Sequence, residues 1–445
     1  MIRWTGRLRW MLMILSGCWF LILARDYAGS WNDASRLAMV ESLVDYRSLA
    51  IDHSRWVSTG DKLFVDGHFY SDKPPVIALG LASIYQLIQT LTGISFHENE
   101  SLVCWLLVVL GMGPPFLWAI WSIDTIGESL GLRIADRLLI WFSLNFGTVL
   151  VAYSQFLNQH FLFFCFLTIL LERVFSAMWE PKEKYFKDSI LIGTCAGILY
   201  GCDQAAGPSL VVALGIYGVL TQSWRRNLTI IISALPWLLL HHIVNYQIGG
   251  SFAPANSNPD YLKWPGSAFH VGNMTGVIPD RSVGVLIGYG FEMLIGKKGF
   301  IGHNPTLYLA VVGWVLLRKA SQNPPLNRFL EMIAIWTGMT FVAYLLFSNN
   351  ASGACLSVRW FVPFLAPGYI VLMLLLANLP AVRPVLIILT VTGFLLGLSM
   401  VLRGPWTQRM LPGYWIIQGI GLAAACVTWY KISASLSTRN LRVVH

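Results

Sequence analysis

The stretch 385-VLIILTVTGFLLGLSMVL-402 runs for 18 residues without a charged side chain. A helix crosses the hydrocarbon core of a bilayer with about 20 mostly apolar residues, so this stretch predicts a transmembrane helix. A similar run, 10-WMLMILSGCWFLILA-24, begins near the N-terminus. It lacks a small-residue cleavage site and further apolar runs follow it, so we expect it to remain as an anchor.

The composition extends this interpretation to the whole chain. Of 445 residues, 56% are hydrophobic and 12% are charged, with a mean hydropathy of +0.60. A soluble domain carries roughly a quarter of its residues as charges. The expected fold is therefore an all-α, polytopic integral membrane protein with about twelve transmembrane helices. The predicted spans are 10–25, 101–123, 138–153, 156–173, 188–203, 206–222, 227–246, 303–317, 329–347, 360–378, 384–402 and 412–430.

The distribution of Lys and Arg predicts how these spans are oriented. If the run 74–92 does not cross the membrane, 18 basic residues lie on the side of the N-terminus, whereas the short loops opposite hold only Arg359, Arg403 and Arg409. Cytoplasmic loops carry the excess of basic residues, so we predict cytoplasmic termini in a plasma or inner membrane. The run 74–92 is then a surface or re-entrant helix. The net charge of +9 is spread over many loops, so we expect no nucleic-acid partner.

Two long segments, 26–100 and 247–302, then fall on the external side. Long loops in compact proteins are commonly functional. Each of these segments also contains large apolar side chains, such as Trp31 in the first and Trp264 in the second, which a disordered segment lacks. We divide the chain into an N-terminal transmembrane module with the first external loop, a second external or re-entrant region, and C-terminal transmembrane helices, at 1–246, 247–302 and 303–445.

The first external loop contains the polar segment 32-NDASRLA-38. Asp33 can cap a helix that runs on from Ala34, because a carboxylate accepts hydrogen bonds from the free N–H groups of a first turn. Capping alone is the alternative to a chemical role. The residues that follow have helical spacing, which predicts a short amphipathic helix at the membrane interface.

The same loop later contains 69-FYSDKPPV-76. Pro74 and Pro75 lack N–H groups and can start a helix but not continue one. Lys73 and Asp72 are thereby placed at the start of the helix predicted over 74–92. Taken alone, Lys73 is typical of a lysine that anchors a helix to lipid headgroups.

Together the two segments resemble the GT-C glycosyltransferases related to protein O-mannosyltransferases and lipid A aminoarabinose transferases. In that family this loop carries an Asp-Glu pair followed by Ala-Arg-Tyr, and later an aromatic-acid-Lys-Pro-Pro motif. Ala34 and Leu37 depart from the pattern. The second short external loop, in which relatives often carry an Asp, offers Asn158 and His160 instead. The matching residues are Asp33, Arg36, Tyr70 (or Phe69), Asp72 and Lys73.

The resemblance implies a GT-C-like fold and an inverting glycosyltransferase that moves a sugar from a polyprenyl-phosphate donor to an acceptor hydroxyl on the external or periplasmic face. Asp33 is the candidate general base, since a carboxylate within reach can take the hydroxyl proton. Cations stabilise the charge that develops on the leaving phosphate. The candidates for this are Lys73, Arg359 and one of Lys297 or Lys298, with lipid anchoring as the alternative for Arg359.

Three further polar residues lie near the same predicted face. Asn158 and His160 could hydrogen-bond the sugar or the phosphate, or form a neutral pair without a ligand. Asp203 ends a predicted span, and we interpret it as a helix cap, with recognition of a sugar hydroxyl as the alternative.

No spacing in the sequence resembles a firm metal cluster, so we expect catalysis without an obligatory metal and leave a divalent cation open. The expected partners are a polyprenyl-phosphate-linked sugar donor, membrane lipid, and a lipid, glycan or protein acceptor. The main alternative is a transporter or flippase of a lipid-linked saccharide. Transporters commonly place ionisable residues near the bilayer midplane, whereas this chain gathers them at one face.

Overall fold

A computed structural model describes residues 2–179, 185–270 and 272–436 of the chain. The described part consists of seventeen α-helices, a few 3₁₀ helices and one two-stranded sheet. The helices are α1 (Ile2–Leu23), α2 (Trp31–Asp45), α3 (Pro75–Thr92), α4 (Phe96–Ser129), α5 (Ile134–Phe146), α6 (Leu150–Tyr153), α7 (Gln159–Ser176), α8 (Tyr185–Tyr200), α9 (Ala206–Thr221), α10 (Trp224–Gly249), α11 (Val283–Leu294), α12 (Phe300–His303), α13 (Thr306–Ala320), α14 (Pro324–Phe347), α15 (Leu365–Asn378), α16 (Arg383–Arg403) and α17 (Tyr414–Leu436). The strands are β1 (Lys62–Val65) and β2 (His68–Ser71), and the 3₁₀ helices are Ala255–Ser257, Pro259–Leu262, Arg359–Phe364 and Pro380–Val382.

The predicted class, an all-α polytopic membrane protein, is confirmed. Eight helices in the described residues are long and apolar enough to cross a membrane. Seven of them coincide with predicted spans, and the remaining five predicted spans coincide with α5 and α6, α8, α9, α13 and α17. The eighth is α3, which qualifies by length and composition although the charge pattern places it at the surface. The division into three regions stays a prediction.

One predicted span, 138–153, is broken into α5 and α6. At the break, Gly393 of α16 packs directly against the backbone at Gly147. A methyl group added to Gly393 would lie 2.1 Å from the Gly147 carbonyl oxygen, so this close approach requires glycine at position 393. The side chain of Asn304 accepts a hydrogen bond from the backbone N–H of Val149 at 2.9 Å, which satisfies a donor freed by the break. Close packing and a side-chain hydrogen bond thus replace helical continuity at this point.

The helix α2 differs from the amphipathic surface helix expected from its sequence. Twelve of its 15 residues are buried, including Asp33, Arg36 and Glu41. It packs on α3 and on the sheet. The amphipathic prediction is therefore wrong, because the polar side chains of α2 are buried within the protein rather than turned to solvent or headgroups.

Ion pairs join several helix ends at one end of the bundle. Arg9 of α1 and Arg137 of α5 both pair with Asp124 of α4, at 2.9 and 2.5 Å. Asp136, next to Arg137, pairs with Arg383 at the start of α16 at 2.5 Å. All three arginines belong to the set predicted to be cytoplasmic, so the structure groups them at one end as the charge pattern requires.

The two segments predicted to be external also meet each other. Asn256 donates a side-chain hydrogen bond to the backbone carbonyl of Asp72 at 2.7 Å. The rings of Phe69 and Trp264 lie edge to face with centres 5.4 Å apart. Residues 26–100 and 247–302 therefore contribute to one continuous structure at the same end of the protein.

Candidate active site

A β-hairpin positions the Lys-Pro-Pro motif. Its turn is Asp66-Gly67, with φ of 49° and 87°, the left-handed conformation at both positions that a tight two-residue hairpin turn requires. Lys62 pairs with Ser71 across the strands. Asp61 and Asp72, which flank the two paired strands, are therefore brought side by side although eleven positions separate them.

Lys73 lies between these two carboxylates. Its Nζ atom is 2.8 Å from Asp61 and 2.7 Å from Asp72, and all three side chains are nearly buried. Burial acts against ionisation of Asp61, but the neighbouring Lys73 ammonium outweighs it and holds the pKa of Asp61 below its usual value. Burial raises the pKa of Asp72, against the opposing effect of Lys73. Lys73 is thus already paired, which differs from the free ammonium that a phosphate-binding role assumes.

Asp33 occupies the first turn of α2 but does not cap it. The N-cap is Ser30, whose hydroxyl accepts from the Asp33 N–H at 3.4 Å and donates to the Asp33 carboxylate at 3.1 Å. The predicted capping role of Asp33 is therefore wrong, because the N-cap is Ser30, three positions earlier. The other carboxylate oxygen, Oδ1, is buried without a hydrogen-bond partner among the described residues. Burial raises the pKa of Asp33 to about 6, although Arg36, Ser30 and Arg359 act in the opposite direction.

Arg36 ties α2 to the start of α7. Its guanidinium donates to the backbone carbonyls of Asn32 at 3.0 Å and Leu157 at 3.2 Å, and also to the side chains of Asn32 and Gln159. It is fully buried. Arg36 therefore fixes two elements relative to each other and leaves its neighbours Asn32 and Gln159 at the surface of the cavity described below.

The start of α7 separates the roles of Asn158 and His160. Asn158 is the N-cap, since its side-chain oxygen accepts from the N–H groups of His160 at 2.8 Å and Phe161 at 3.2 Å. His160 instead faces Asp203, with its Nδ1 atom 3.4 Å from a carboxylate oxygen. Both residues are buried, and only His160 reaches the cavity.

Asp203 is held by three donors. One carboxylate oxygen caps α9 by accepting from the N–H groups of Ala205 and Ala206 at 2.9 and 2.8 Å, so the predicted capping role is confirmed. The other oxygen accepts from the Tyr344 hydroxyl at 2.6 Å. Tyr344 stacks on Trp360, with ring centres 4.4 Å apart. Burial raises the pKa of Asp203.

Arg359 lines the cavity with its guanidinium donors unpaired among the described residues. It has neither an ion pair nor a hydrogen bond within the described part of the chain, and its Nε atom is buried without a partner. Its guanidinium carbon lies 5.4 Å from the ring centre of Trp406, a cation–π contact that leaves the hydrogen-bond donors free. Lys298 also reaches the site and donates to the Gly353 carbonyl at 2.7 Å. Lys297 is exposed and lies outside it.

These groups surround a cavity of about 1560 Å³. Its polar end combines carboxylates with cations, and a further wall from α9 and α14 is apolar, through Val212, Met339 and Phe347. The space therefore suits a ligand with a charged headgroup and an apolar body. Of the residues predicted from the sequence, Asp72, Lys73, His160, Lys298 and Arg359 line the cavity, whereas Asp33, Arg36, Tyr70, Asn158 and Lys297 do not.

Tyr70 lies on β2, half-buried, away from the cavity. Burial raises the pKa of its phenol, with smaller contributions from Asp52 and Asp66. Tyr70, the aromatic residue of the motif, is therefore part of the strand and does not contact the cavity.

The cavity also bears on the placement of α3. Pro74, directly before α3, and Glu100, in the first turns of α4, line the same cavity. Phe96, at the start of α4, packs on Trp56 of the first long segment with ring centres 4.8 Å apart. Both ends of α3 are therefore tied to one end of the protein, which favours the surface placement predicted for 74–92.

Several cavity residues were not predicted from the sequence. Asp61 is the most important, because it completes the pairing of Lys73; the Asp-Gly turn between two apolar-rich runs is the signal that could have revealed the hairpin and hence this contact. Trp31, Trp56 and Asn256 also line the cavity. No local sequence pattern identifies these three residues, because tertiary packing is what brings them to the cavity. Among the described residues, no group of three or more His, Cys, Asp or Glu side chains is arranged to hold a metal ion.

Comparisons with known proteins give a likeness to a solved structure. No family model matches the chain, and no curated protein matches it significantly. Among solved structures, the chain is similar to ArnT from Cupriavidus metallidurans, crystallised in the apo state, with a TM-score of 0.46 and 13% sequence identity over 95% of this chain and 76% of that chain.

Proposed function

We propose that the protein is an inverting membrane glycosyltransferase of the GT-C type, which transfers a sugar from a polyprenyl-phosphate donor to an acceptor hydroxyl at the external or periplasmic face. The observation that carries the proposal is Arg359, whose guanidinium makes no ion pair or hydrogen bond among the described residues and lies on the wall of a cavity that also has carboxylates and an apolar side. A lipid phosphate needs a cation for its headgroup and apolar surface for its chain. The acceptor is a lipid, a glycan or a protein.

In this proposal the phosphate binds at Arg359, with Lys298 as the second cation. A guanidinium can grip two phosphate oxygens at once, and its donors here have no competing acceptor. The negative charge on the phosphate increases as the glycosidic bond breaks. A fixed cation in a site with little water stabilises that charge more in the transition state than in the ground state. Lys73, already held between Asp61 and Asp72, shapes the polar wall instead.

Asp33 is the base for the acceptor hydroxyl that the sequence predicts. A pKa of about 6 and a free oxygen suit a general base near neutral pH. However, Asp33 does not line the cavity. In the present arrangement its charge interacts with those of Arg36 and Arg359.

The test uses the purified full chain in proteoliposomes. A panel of radiolabelled polyprenyl-phosphate monosaccharides is supplied together with membrane lipids and envelope glycans as acceptors. We expect label to move to an acceptor with release of polyprenyl phosphate, and chelation not to stop the reaction. Arg359→Gln should abolish consumption of the donor, while Lys297→Gln, which removes a nearby charge outside the cavity, should not.

Two results would count against the proposal. Intact donor that crosses the bilayer without transfer would instead support a transporter or flippase. A protein that binds no polyprenyl phosphate and consumes none of the donors would remove both functions.

A further inference from the structure

A buried histidine and a buried aspartate meet at the cavity wall. The Nδ1 atom of His160 lies 3.4 Å from a carboxylate oxygen of Asp203, and it makes no hydrogen bond among the described residues. Both side chains are at most 4% exposed. Because Nδ1 is turned toward Asp203, Nε2 is the ring nitrogen left to face the cavity, which both residues line.

Asp203 is fixed in place independently of His160. The N–H groups at the start of α9 and the hydroxyl of Tyr344 together supply three hydrogen bonds to its carboxylate. Trp360 stacks on Tyr344 and restricts the phenol ring. An anchored carboxylate behind one imidazole nitrogen selects the tautomer and orientation of the ring, which leaves the other nitrogen free to accept a proton.

The charged groups near His160 come from every side of the cavity. Arg36 of α2, Lys73 before α3, and Arg359 at the start of its 3₁₀ helix act on the ring electrostatically. Asp203 is the acidic group in contact with it, and Tyr344 of α14 lies behind that carboxylate. His160 thus contacts the carboxylate of Asp203 and is within electrostatic reach of Arg359, the cation proposed to bind the donor phosphate.

We propose that His160, oriented by Asp203, is the catalytic base that takes the proton of the acceptor hydroxyl. This inference rests on the proposed function. The hydroxyl oxygen forms a bond to the anomeric carbon as the bond from that carbon to the phosphate oxygen breaks. The electron pair of the broken bond leaves on the phosphate at Arg359, and the hydroxyl proton passes to Nε2 of His160. Asp203 stabilises the imidazolium, which later releases its proton to water.

This assignment uses a group that already faces the cavity. Asp33 does not line the cavity, although its neighbours Trp31, Asn32 and Ala34 do. The carboxylates of Asp61 and Asp72 are occupied by Lys73. His160 lines the cavity, and its ionic contact among the described residues is with Asp203.

The test compares two variants of the full chain, His160→Gln and Asp203→Asn, with sugar transfer from the radiolabelled donor panel and binding of polyprenyl phosphate as separate measurements. We expect His160→Gln to lower kcat by about 10²- to 10⁴-fold, the usual range for loss of a general base, with donor binding unchanged within about threefold. The acid limb of the wild-type pH–rate profile should disappear in this variant. Asp203→Asn acts through orientation of the ring, so its kcat should fall on the order of tenfold or more while the acid limb remains.

Chemical rescue distinguishes a catalytic role of His160 from a purely structural one. Imidazole added to His160→Ala should restore part of the rate by occupying the vacated space. His160→Gln with kcat close to wild type, in a protein that transfers sugar, would overturn the inference and leave the proposed function standing. Equal loss of rate and donor binding in that variant would also overturn it. Absence of transfer by the wild-type protein with every donor would instead remove the proposed function on which it depends.

Discussion

The Nζ atom of Lys73 lies 2.8 Å from the carboxylate of Asp61, its partner from the other side of the β-hairpin. The pair connects the Lys-Pro-Pro motif to a residue outside any motif recognised in the sequence. Because Asp72 binds the same ammonium at 2.7 Å, the lysine charge is compensated twice over. The polar wall of the cavity at this point is therefore acidic rather than basic.

Replacing Asp61 tests that electrostatic balance. Asp61→Asn removes one negative charge from the wall, so we expect binding of polyprenyl phosphate to become tighter by about tenfold, the effect of one charge near a partly buried site. The measurement is a titration with polyprenyl phosphate at low salt. If Lys73 needed Asp61 for its position and bound the phosphate itself, the affinity would fall instead.

The matched control for this variant is Asp260→Asn. Asp260 is an exposed acidic residue that pairs with Lys263 at 2.8 Å and does not line the cavity. Its replacement alters the net charge of the protein by the same amount. Affinity for polyprenyl phosphate should stay within about twofold of wild type, since exposed charges are screened by salt.

Arg359 is expected to dominate donor binding. Arg359→Gln removes the free guanidinium, and loss of charge-assisted hydrogen bonds worth about 1.5–3 kcal/mol should weaken polyprenyl-phosphate binding by roughly 10- to 100-fold. Arg359→Lys retains the charge but not the two-pronged geometry, so its loss should be smaller. Both are measured as dissociation constants for polyprenyl phosphate in detergent.

Lys297→Gln provides the comparison for Arg359. Lys297 is exposed, lies in the predicted external segment 247–302 and was an alternative phosphate ligand from the sequence. A loss of affinity in this variant as large as that of Arg359→Gln would show that the phosphate binds elsewhere.

The protonation of Asp33 predicts a pH dependence of stability. Its pKa in the fold is about 6, above the ordinary value of 3.8. Between these values the native state holds a proton that the unfolded chain has lost, so the contribution of Asp33 is full below about pH 4 and is lost as the pH rises through 6. By pH 7 the loss is about 3 kcal/mol. Asp33→Asn should therefore raise Tm relative to wild type by more at pH 7 than at pH 4, as measured by thermal unfolding in detergent.

Other titrating groups are present in both proteins and cancel in this difference. A difference in Tm that does not change with pH would mean that the carboxylate is not held in a desolvated site. The transfer activity of the same variant then decides its chemical role. Activity abolished in a folded Asp33→Asn protein would support Asp33 as the base, and full activity would dismiss that role.

The spans were predictable because their signal is local. A run of apolar residues long enough to cross a bilayer needs no knowledge of its neighbours, and eleven of the twelve predicted spans each coincide with a helix, while 138–153 is broken into α5 and α6. The grouping of Arg9, Arg137 and Arg383 was likewise contained in the charge pattern. The break at Gly147 was not, because it depends on the approach of Gly393 from a helix far along the chain.

The candidate site was only half predictable for the same reason. Motif matching found Asp72 and Lys73 but treated Lys73 as free, since the strand register that brings Asp61 beside it is a tertiary outcome. It also treated Arg36 as a ligand-binding residue, although the burial of α2 turns its guanidinium toward the segment before α7. His160 and Asp203 lie 43 positions apart, and only the packing of α7 against α8 and the start of α9 brings them together.

The predicted orientation of the protein is tested by cysteine labelling. Ser257 and Thr92 belong to the segments predicted to be external, Gln322 lies in a loop predicted to be cytoplasmic, and all three are exposed. We expect a membrane-impermeant thiol reagent applied to intact cells to label Ser257→Cys and Thr92→Cys, but to label Gln322→Cys only after permeabilisation. The unchanged chain is the control, because its exposed cysteines, Cys18 and Cys426, lie within apolar helices. Labelling of Ser257→Cys with protection of Thr92→Cys would mean that α3 crosses the membrane. Labelling of Gln322→Cys in intact cells with protection of Ser257→Cys would mean that the protein has the opposite orientation, with the cavity on the cytoplasmic side.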